Sequence, residues 1–372
     1  MLVGDDRTGQ DAGLAPSSAP AAQTSLQVIA APAQAYPTTI VADAAAASGG
    51  SIGCSDTGRF DAVGRTYGIA YSPDGSLFAV GTQASRPNAR IYRTSDRSLV
   101  QTLEGHAFST FSVAFSPDGS LLATAGERRD DPSDTSPTVK LWRVSDGTLL
   151  QAVPANTGFY VSSVEFSHDG RLLATSGYRG YVEIWRVSDG ARLLAIPVAG
   201  TVYRAHFSPD DAMISTASTD RSARIFRVAD GTPLYVLLGH SYSATDATFS
   251  PSGNEIVVSG YDNTAILYDL VGKTAVQTLV QNPLDDPPTG KDYVERALWP
   301  EPNLIVTNDW GGNVRMWTRG SNGRFTASCL RQAQGQSIGL AVSPKGLELR
   351  AGGSSSDGSG VWTWSLVWIW QL

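Results

Sequence analysis

The sequence predicts an all-β chain folded as a seven-bladed β-propeller behind a disordered N-terminal tether. Three observations carry this. A Ser-Pro-Asp-Gly type of turn recurs about seven times from Ser72 onward. An aromatic residue ends a short apolar strand at a matching place after each turn: Tyr92, Trp142, Trp185, Phe226, Tyr268, Trp317 and then Trp364 or Trp370. Those aromatics lie roughly 41 to 50 residues apart, the length of one four-stranded sheet that cannot bury both its faces without neighbours. A chain of 372 residues, 41% hydrophobic and 17% charged, can bury a large core. Seven units exhaust it as one domain.

Residues 1 to 52 are rich in Ala, Ser, Pro, Thr and Gly, a composition too poor in large apolar side chains to recover the entropy of ordering. They read as the tether, with 53–372 as the ring. The first six residues have neither a basic start nor an apolar core, so they are not a secretory signal. Two short apolar runs, Ser25 to Ala30 and Thr38 to Ala42, are strands in waiting if a sheet edge is offered to them.

The unit is clearest between Phe111 and Val153. Val113 and Phe115 alternate with Ser112 and Ala114, which is the period of a half-buried strand, and the run stops at Ser116-Pro117-Asp118-Gly119. Leu121 to Ala125 form a second strand, Val139 to Trp142 a third, and Ser145-Asp146-Gly147 turns the chain into a fourth at Leu149 to Val153. The turn returns as Ser72-Pro73-Asp74-Gly75, Ser167-His168-Asp169-Gly170, Ser208-Pro209-Asp210-Asp211 and Ser250-Pro251-Ser252-Gly253. Looser copies stand at Pro300 to Asn303 and Ser343 to Gly346. In the last unit the third strand is either Val361 to Trp364 or Val367 to Trp370.

Gly105-His106 and Gly239-His240 precede first strands, and with the Ser-Pro-Asp-Gly turn and the Val-x-Leu-Trp strand they make the region from about Arg65 to Leu372 resemble the WD-repeat family. The dipeptide itself departs from the pattern, since Trp142, Trp185 and Trp317 are followed by Arg143, Arg186 and Thr318, and Tyr268-Asp269 alone keeps an aromatic before aspartate. The resemblance implies a hydrogen-bonded set of His, Ser or Thr, Asp and Trp inside a blade. Only the fifth unit is expected to keep it, through His240, Ser259, Asp262 and Tyr268, with packing holding the other blades. The resemblance also implies that the last blade borrows a strand from the N-terminal side, here from within Ser25 to Phe60.

No catalytic, cofactor or metal site is expected. The four histidines, His106, His168, His206 and His240, fall in different units, and no zinc-protease helix pattern, Walker-type glycine loop or nucleophile elbow appears. Asp130, Asp131 and Asp134 lack the spacing and glycine of a calcium loop. Cys54 and Cys329 are too few for a disulfide framework. A net charge of -7 argues against a nucleic-acid partner, and no run of 18 apolar residues offers a membrane span.

Positions alike in every unit serve the fold, and those that differ are free for function. At the start of strand one the residues follow no rule: Tyr67, Phe111, Ser162, Tyr203, Thr245, Glu295 and Ile338, each followed by Gly68, Ser112, Ser163, Arg204, Asp246, Arg296 or Gly339. These open onto the same end of the ring as the loops joining strand four to one and strand two to three. That end is expected to carry a protein- or peptide-binding surface made of Tyr67, Phe108, Phe111, Phe159, Tyr160, Tyr178, Arg179, Tyr181, Tyr203, Arg204, Tyr242, Tyr261, Tyr293, Arg296 and Trp310, because Tyr, Trp and Arg dominate binding hot spots. The ring is expected to act as a monomeric, non-enzymatic scaffold. The alternative is a propeller enzyme or small-molecule binder at the channel mouth, which needs a cluster of carboxylates or histidines there. The sequence shows only mixed charges with no sign of clustering.

Overall fold

The computed structural model describes residues 26–31, 52–60, 65–83, 88–106, 108–127, 138–155, 160–282, 293–332, 336–344, 348–354 and 360–368, with the backbone alone for 52–60, 329, 331–332, 336–338, 348–354 and 360–368. Two strands precede the repeats, β1 (Gln27–Ala30) and β2 (Ile52–Phe60). Blade one is β3 (Arg65–Tyr71), β4 (Leu77–Gln83), β5 (Ala89–Arg93) and β6 (Leu99–Leu103), and blade two is β7 (Thr110–Phe115), β8 (Leu121–Gly126), β9 (Val139–Arg143) and β10 (Leu149–Val153). Blade three is β11 (Val161–Phe166), β12 (Leu172–Gly177), β13 (Tyr181–Arg186) and β14 (Arg192–Pro197). Blade four is β15 (Val202–Phe207), β16 (Met213–Ser218), β17 (Ala223–Arg227) and β18 (Pro233–Leu238). Blade five is β19 (Ala244–Phe249), β20 (Glu255–Gly260), β21 (Thr264–Asp269) and β22 (Thr274–Val280). Blade six is β23 (Val294–Glu301), β24 (Leu304–Asp309), β25 (Asn313–Arg319) and β26 (Phe325–Gln332). Blade seven has three strands of its own, β27 (Gln336–Val342), β28 (Glu348–Ser354) and β29 (Gly360–Trp368).

Every blade is an antiparallel sheet, and its first strand lies against the first strand of the next blade, from β3 and β7 round to β27 and β3. That cycle closes a seven-bladed propeller around a channel walled by first strands. The fourth position of blade seven is filled by β2, antiparallel to β29 from Ile52↔Trp368 to Phe60↔Val361. Leu349 faces Trp364 as Leu122 faces Trp142, so Trp364 and not Trp370 holds the repeat's aromatic register in this blade. β1 does something else. It adds a fifth, parallel strand to blade four beside β18.

The core lies between blades. Val139, Leu141, Val164, Phe166 and Trp185 form one inter-blade cluster, and Ile91, Val113, Phe115 and Trp142 form another. Alternation along each first strand sends one row into these clusters and the other toward the channel. Trp142 and Trp185 are buried. The expectation that packing alone braces blades other than the fifth needs correction. Trp142, Trp185 and Trp317 each donate Nε1–H to a second-strand threonine, Thr124 at 2.8 Å, Thr175 at 3.1 Å and Thr307 at 2.9 Å. His106 Nε2 meets Thr124 at 2.7 Å, and Gln281 takes the imidazole's part in blade six by accepting from Thr307 at 2.6 Å.

The fifth blade does not keep the set expected of it. Register puts Val258, not Ser259, where the threonines stand in blades two, three and six, because Val258 faces Ile266 as Thr124 faces Lys140. His240 keeps Asp262 at 2.9 Å but bonds the Val258 carbonyl through its other nitrogen. Ser259 turns to Thr245, and Tyr268 donates to the Leu238 carbonyl. The cysteine side chains, Phe159, the acidic loop 128–137 and the 283–292 loop lie outside the described residues.

Candidate functional site

The residues that follow no rule in sequence share one structural position. In all seven blades the pairing of strand one with strand two slips by one residue near its start, between Thr66 and Gly68, Thr110 and Ser112, Val161 and Ser163, Val202 and Arg204, Ala244 and Asp246, Val294 and Arg296, and Ser337 and Gly339. Each slip is a β-bulge. The skipped residue is released from the ladder, which in blades one to six re-aims its side chain. Those residues are Tyr67, Phe111, Ser162, Tyr203, Thr245, Glu295 and Ile338, and the first six line a single cavity of about 260 Å³ at the channel mouth. Arg65, Tyr160, Arg204, Tyr261 and Trp310 complete its wall.

The rings touch in sequence around the mouth. Tyr67 meets Phe111 edge-on at 5.0 Å between ring centres, Phe111 meets Tyr160 at 5.4 Å, and Tyr160 meets Tyr178 at 5.7 Å. On the other side Tyr203 lies 5.7 Å from Tyr261, which lies 4.7 Å from Tyr293. The Arg65 guanidinium sits 5.3 Å from both the Tyr67 and the Trp310 rings, a cation held between two π-faces. Glu295 is buried among these groups and accepts from the Tyr261 hydroxyl at 3.1 Å. Burial pushes its carboxyl up to about 7 against the pull of Arg204. Burial and the Glu295 charge likewise push the Tyr261 hydroxyl far up.

Below the mouth the channel wall holds charges that the sequence left scattered. His206 on β15 is ion-paired with Glu165 on β11, 2.6 Å from its Nδ1, and hydrogen-bonds Asp246 on β19 through Nε2 at 2.6 Å. Asp246 also receives Arg296 Nε at 3.4 Å, with Arg204 at 3.8 Å. Burial alone would depress the imidazole, but Glu165 and Asp246 outweigh it and hold the pKa at about 10. Burial would raise Asp246, yet His206, Arg296 and Arg204 drive it well below the usual carboxylate range. Consecutive blades supply i-matched positions on neighbouring first strands, so residues about 40 apart in sequence become side-by-side partners. That is why no local spacing could show the cluster.

Of the residues named from sequence, Tyr67, Phe111, Tyr160, Tyr203, Arg204, Tyr261 and Trp310 meet in the cavity, and Tyr178 and Tyr293 extend it by ring contact. Arg296 lies deeper, donating to the Leu340 carbonyl at 2.9 Å in the channel. Phe108, Tyr181 and Tyr242 are exposed outside the cavity, as is Arg179. Arg65, which the sequence also places at this end, lines the cavity, and Glu165, His206, Asp246 and Glu295 complete the site without having been singled out for it. The bulge position held Glu295 in plain view. Among the described residues no group of His, Cys, Asp and Glu is arranged to hold a metal, and no helix is long and apolar enough to cross a membrane.

The family model described as WD domain, G-beta repeat matches residues 97–143, 147–186, 197–227 and 231–269. The chain is similar to Transducin beta-like protein 3 of Rattus norvegicus, at 28% identity over 49% of this chain and 22% of that protein. It also resembles the Bos taurus protein of the same name, at 27% over 37% of this chain and 18% of the relative. A ciliary WD repeat-containing protein, ctxp80, of Euplotoides octocarinatus is 33% identical over 31% of this chain and 18% of its own length. The matched region is about a fifth of each relative. With its seven repeated sheets, the chain carries four matched WD repeats and is similar to WD-repeat proteins.

Proposed function

We propose that the protein is a non-enzymatic scaffold that binds a peptide or protein loop, acidic in character, at the aromatic mouth of its channel. The observation that carries this is the convergence of bulge residues from six blades on one cavity, with large rings from Tyr67, Phe111, Tyr203, Tyr261 and Trp310. Rings of this kind bury large area at small entropic cost and keep polar edges for a partner's backbone. The local sign of charge is opposite to the chain's overall -7. Arg65, Arg204, Arg296 and protonated His206 face Glu165, Asp246 and a Glu295 that is only partly ionised near neutrality. An enzymatic or small-molecule reading would draw on the Glu165–His206–Asp246 row. Its members are spent on one another, and the row bridges blades three, four and five as a brace.

The experiment is capture of a partner by immobilised full-length protein from a native extract, followed by titration of the captured partner against variants. Tyr203→Ala and Trp310→Ala are expected to lose capture, while Asp118→Ala at the opposite end keeps it. Retention of full affinity by both aromatic variants would remove the mouth from consideration.

A further inference from the structure

The strand β1 marks a second binding site, on the outer rim far from the channel. Among the described residues β1 is the one strand paired in parallel, with Gln27↔Tyr235, Val28↔Val236, Ile29↔Leu237 and Ala30↔Leu238, and blade four is the one sheet with a fifth strand. Ring closure does not need it, since β2 completes blade seven. Its burial alternates: Val28 is 61% exposed, whereas Ile29 is 2% exposed within the cluster that joins blades four and five, beside Leu237, Ile266, Tyr268 and Leu270. The Ala31 amide continues the pairing by donating to the Leu238 carbonyl at 2.7 Å.

The hollow that receives it has a cause in the repeat. Gly105 and Gly239 are equivalent, each two residues after the leucine that faces the first alanine of the third strand. At Gly105 an added Cβ would lie 2.9 Å from the Trp142 indole of the next blade, so the indole fills that space. At Gly239 the next blade offers Ile266 and the smaller Tyr268, whose nearest atoms would lie 3.0 and 3.1 Å from an added Cβ, and the Ala31 Cβ comes closer, at 2.6 Å. Where an indole stands beside Gly105, a phenol stands beside Gly239, with Ile29 and Ala31 packed against the same cluster. Tyr268 is fully buried, although its blade lacks the indole and the threonine that seal blades two, three and six.

We propose that the outer edge of blade four with the Gly239–Tyr268 hollow is a strand-addition site for a short, uncharged, parallel β-strand with one inward aliphatic side chain, and that its resident occupant is residues 26–31 of the same chain. Edge pairing supplies affinity through main-chain bonds, and the hollow supplies specificity through the single inward side chain. The site is separable from both the ring and the mouth.

The test uses full-length protein carrying Ile29→Asp, which places a charge in the hollow and frees the edge, and a fluorescent peptide spanning residues 24–33 of the wild-type sequence. The Ile29→Asp chain is expected to bind the peptide at least tenfold more tightly than the wild-type chain, whose own strand competes. A peptide carrying the same substitution, or a second Gly239→Val change in the protein, is expected to abolish binding. Amide exchange at Ala31 should accelerate in Ile29→Asp while first-strand amides stay protected. The proposal is overturned if the freed chain binds both peptides equally or neither, or if Ile29→Asp unfolds the ring, which would make β1 part of the common core. A wild-type chain that is dimeric in solution and becomes monomeric on Ile29→Asp would seat a second copy's strand there and overturn residence in cis.

Discussion

The two ends of the ring are built from the same strands and spend their residues differently. At the turn end each Ser-x-Asp pair closes on itself. Ser116 Oγ donates to Asp118 at 2.6 Å and accepts from the Leu121 amide at 2.9 Å, and Ser72, Ser167 and Ser208 repeat the pattern with Asp74, Asp169 and Asp210. Asp118 is held below the usual carboxylate range by the Ser116 hydroxyl and then the Ser120 amide. Gly119 takes φ 72°, and in blade four Asp211 accepts φ 58° in the same place. Polar groups there are used up locally, so selection for the turn repeats the residues. At the mouth the bulge satisfies the backbone without asking anything of the side chain, and the residue is free to vary. Repetition reports structural use, and its loss beside a repeated backbone device reports a surface open to function.

Four outcomes would sharpen or break this contrast. The largest is expected from the shared core: Trp142→Ala removes a buried indole and its bond to Thr124, and should cost about 3 to 5 kcal/mol in denaturant unfolding. A loss below about 1 kcal/mol would contradict the inter-blade packing. Next, His206→Gln strands Glu165 and weakens the hold on Asp246, and should cost about 3 kcal/mol near neutrality. The folded imidazole is raised above its ordinary 6.5 to about 10, so its contribution is fully present below about 6.5 and fades as pH rises through about 10. The stability gap between wild type and His206→Gln should therefore narrow from pH 7 to 10, and a constant gap would deny the charged brace.

Third, Trp310→Ala or Tyr203→Ala should weaken the captured partner by roughly 2 kcal/mol in calorimetric titration, with the melting temperature nearly unchanged. Binding of an acidic partner should also strengthen from pH 8 to pH 6, because Glu295 takes up a proton near 7 and its negative charge leaves the cavity wall. A basic partner would show the reverse. The smallest effect belongs to the turn end. Asp118→Ala loses side-chain bonds to Ser116 and Ser120 and should cost about 1 kcal/mol without touching binding. The lowered carboxyl contributes above its ordinary range and loses that contribution as pH falls, so the cost should vanish in acid.

Periodicity two, the turn chemistry and the recurring aromatic are local properties, written in a few consecutive residues and multiplied by repetition. They determined the strands, the blade count and the row of variable positions at the mouth. The identity of the bracing partners was less legible: Ser259 lies next to Val258, and only the pairing of β20 with β21 tells which of the two stands in the threonine's place. Gln281 in the role of histidine has no sequence signature at all. The bulges that aim Tyr67, Phe111 and Tyr203, the meeting of Glu165, His206 and Asp246 across three blades, and the hollow at Gly239 were decided by tertiary structure alone. Each depends on register between strands or on the volume a neighbouring blade leaves unfilled, and neither quantity exists until the sheets pack.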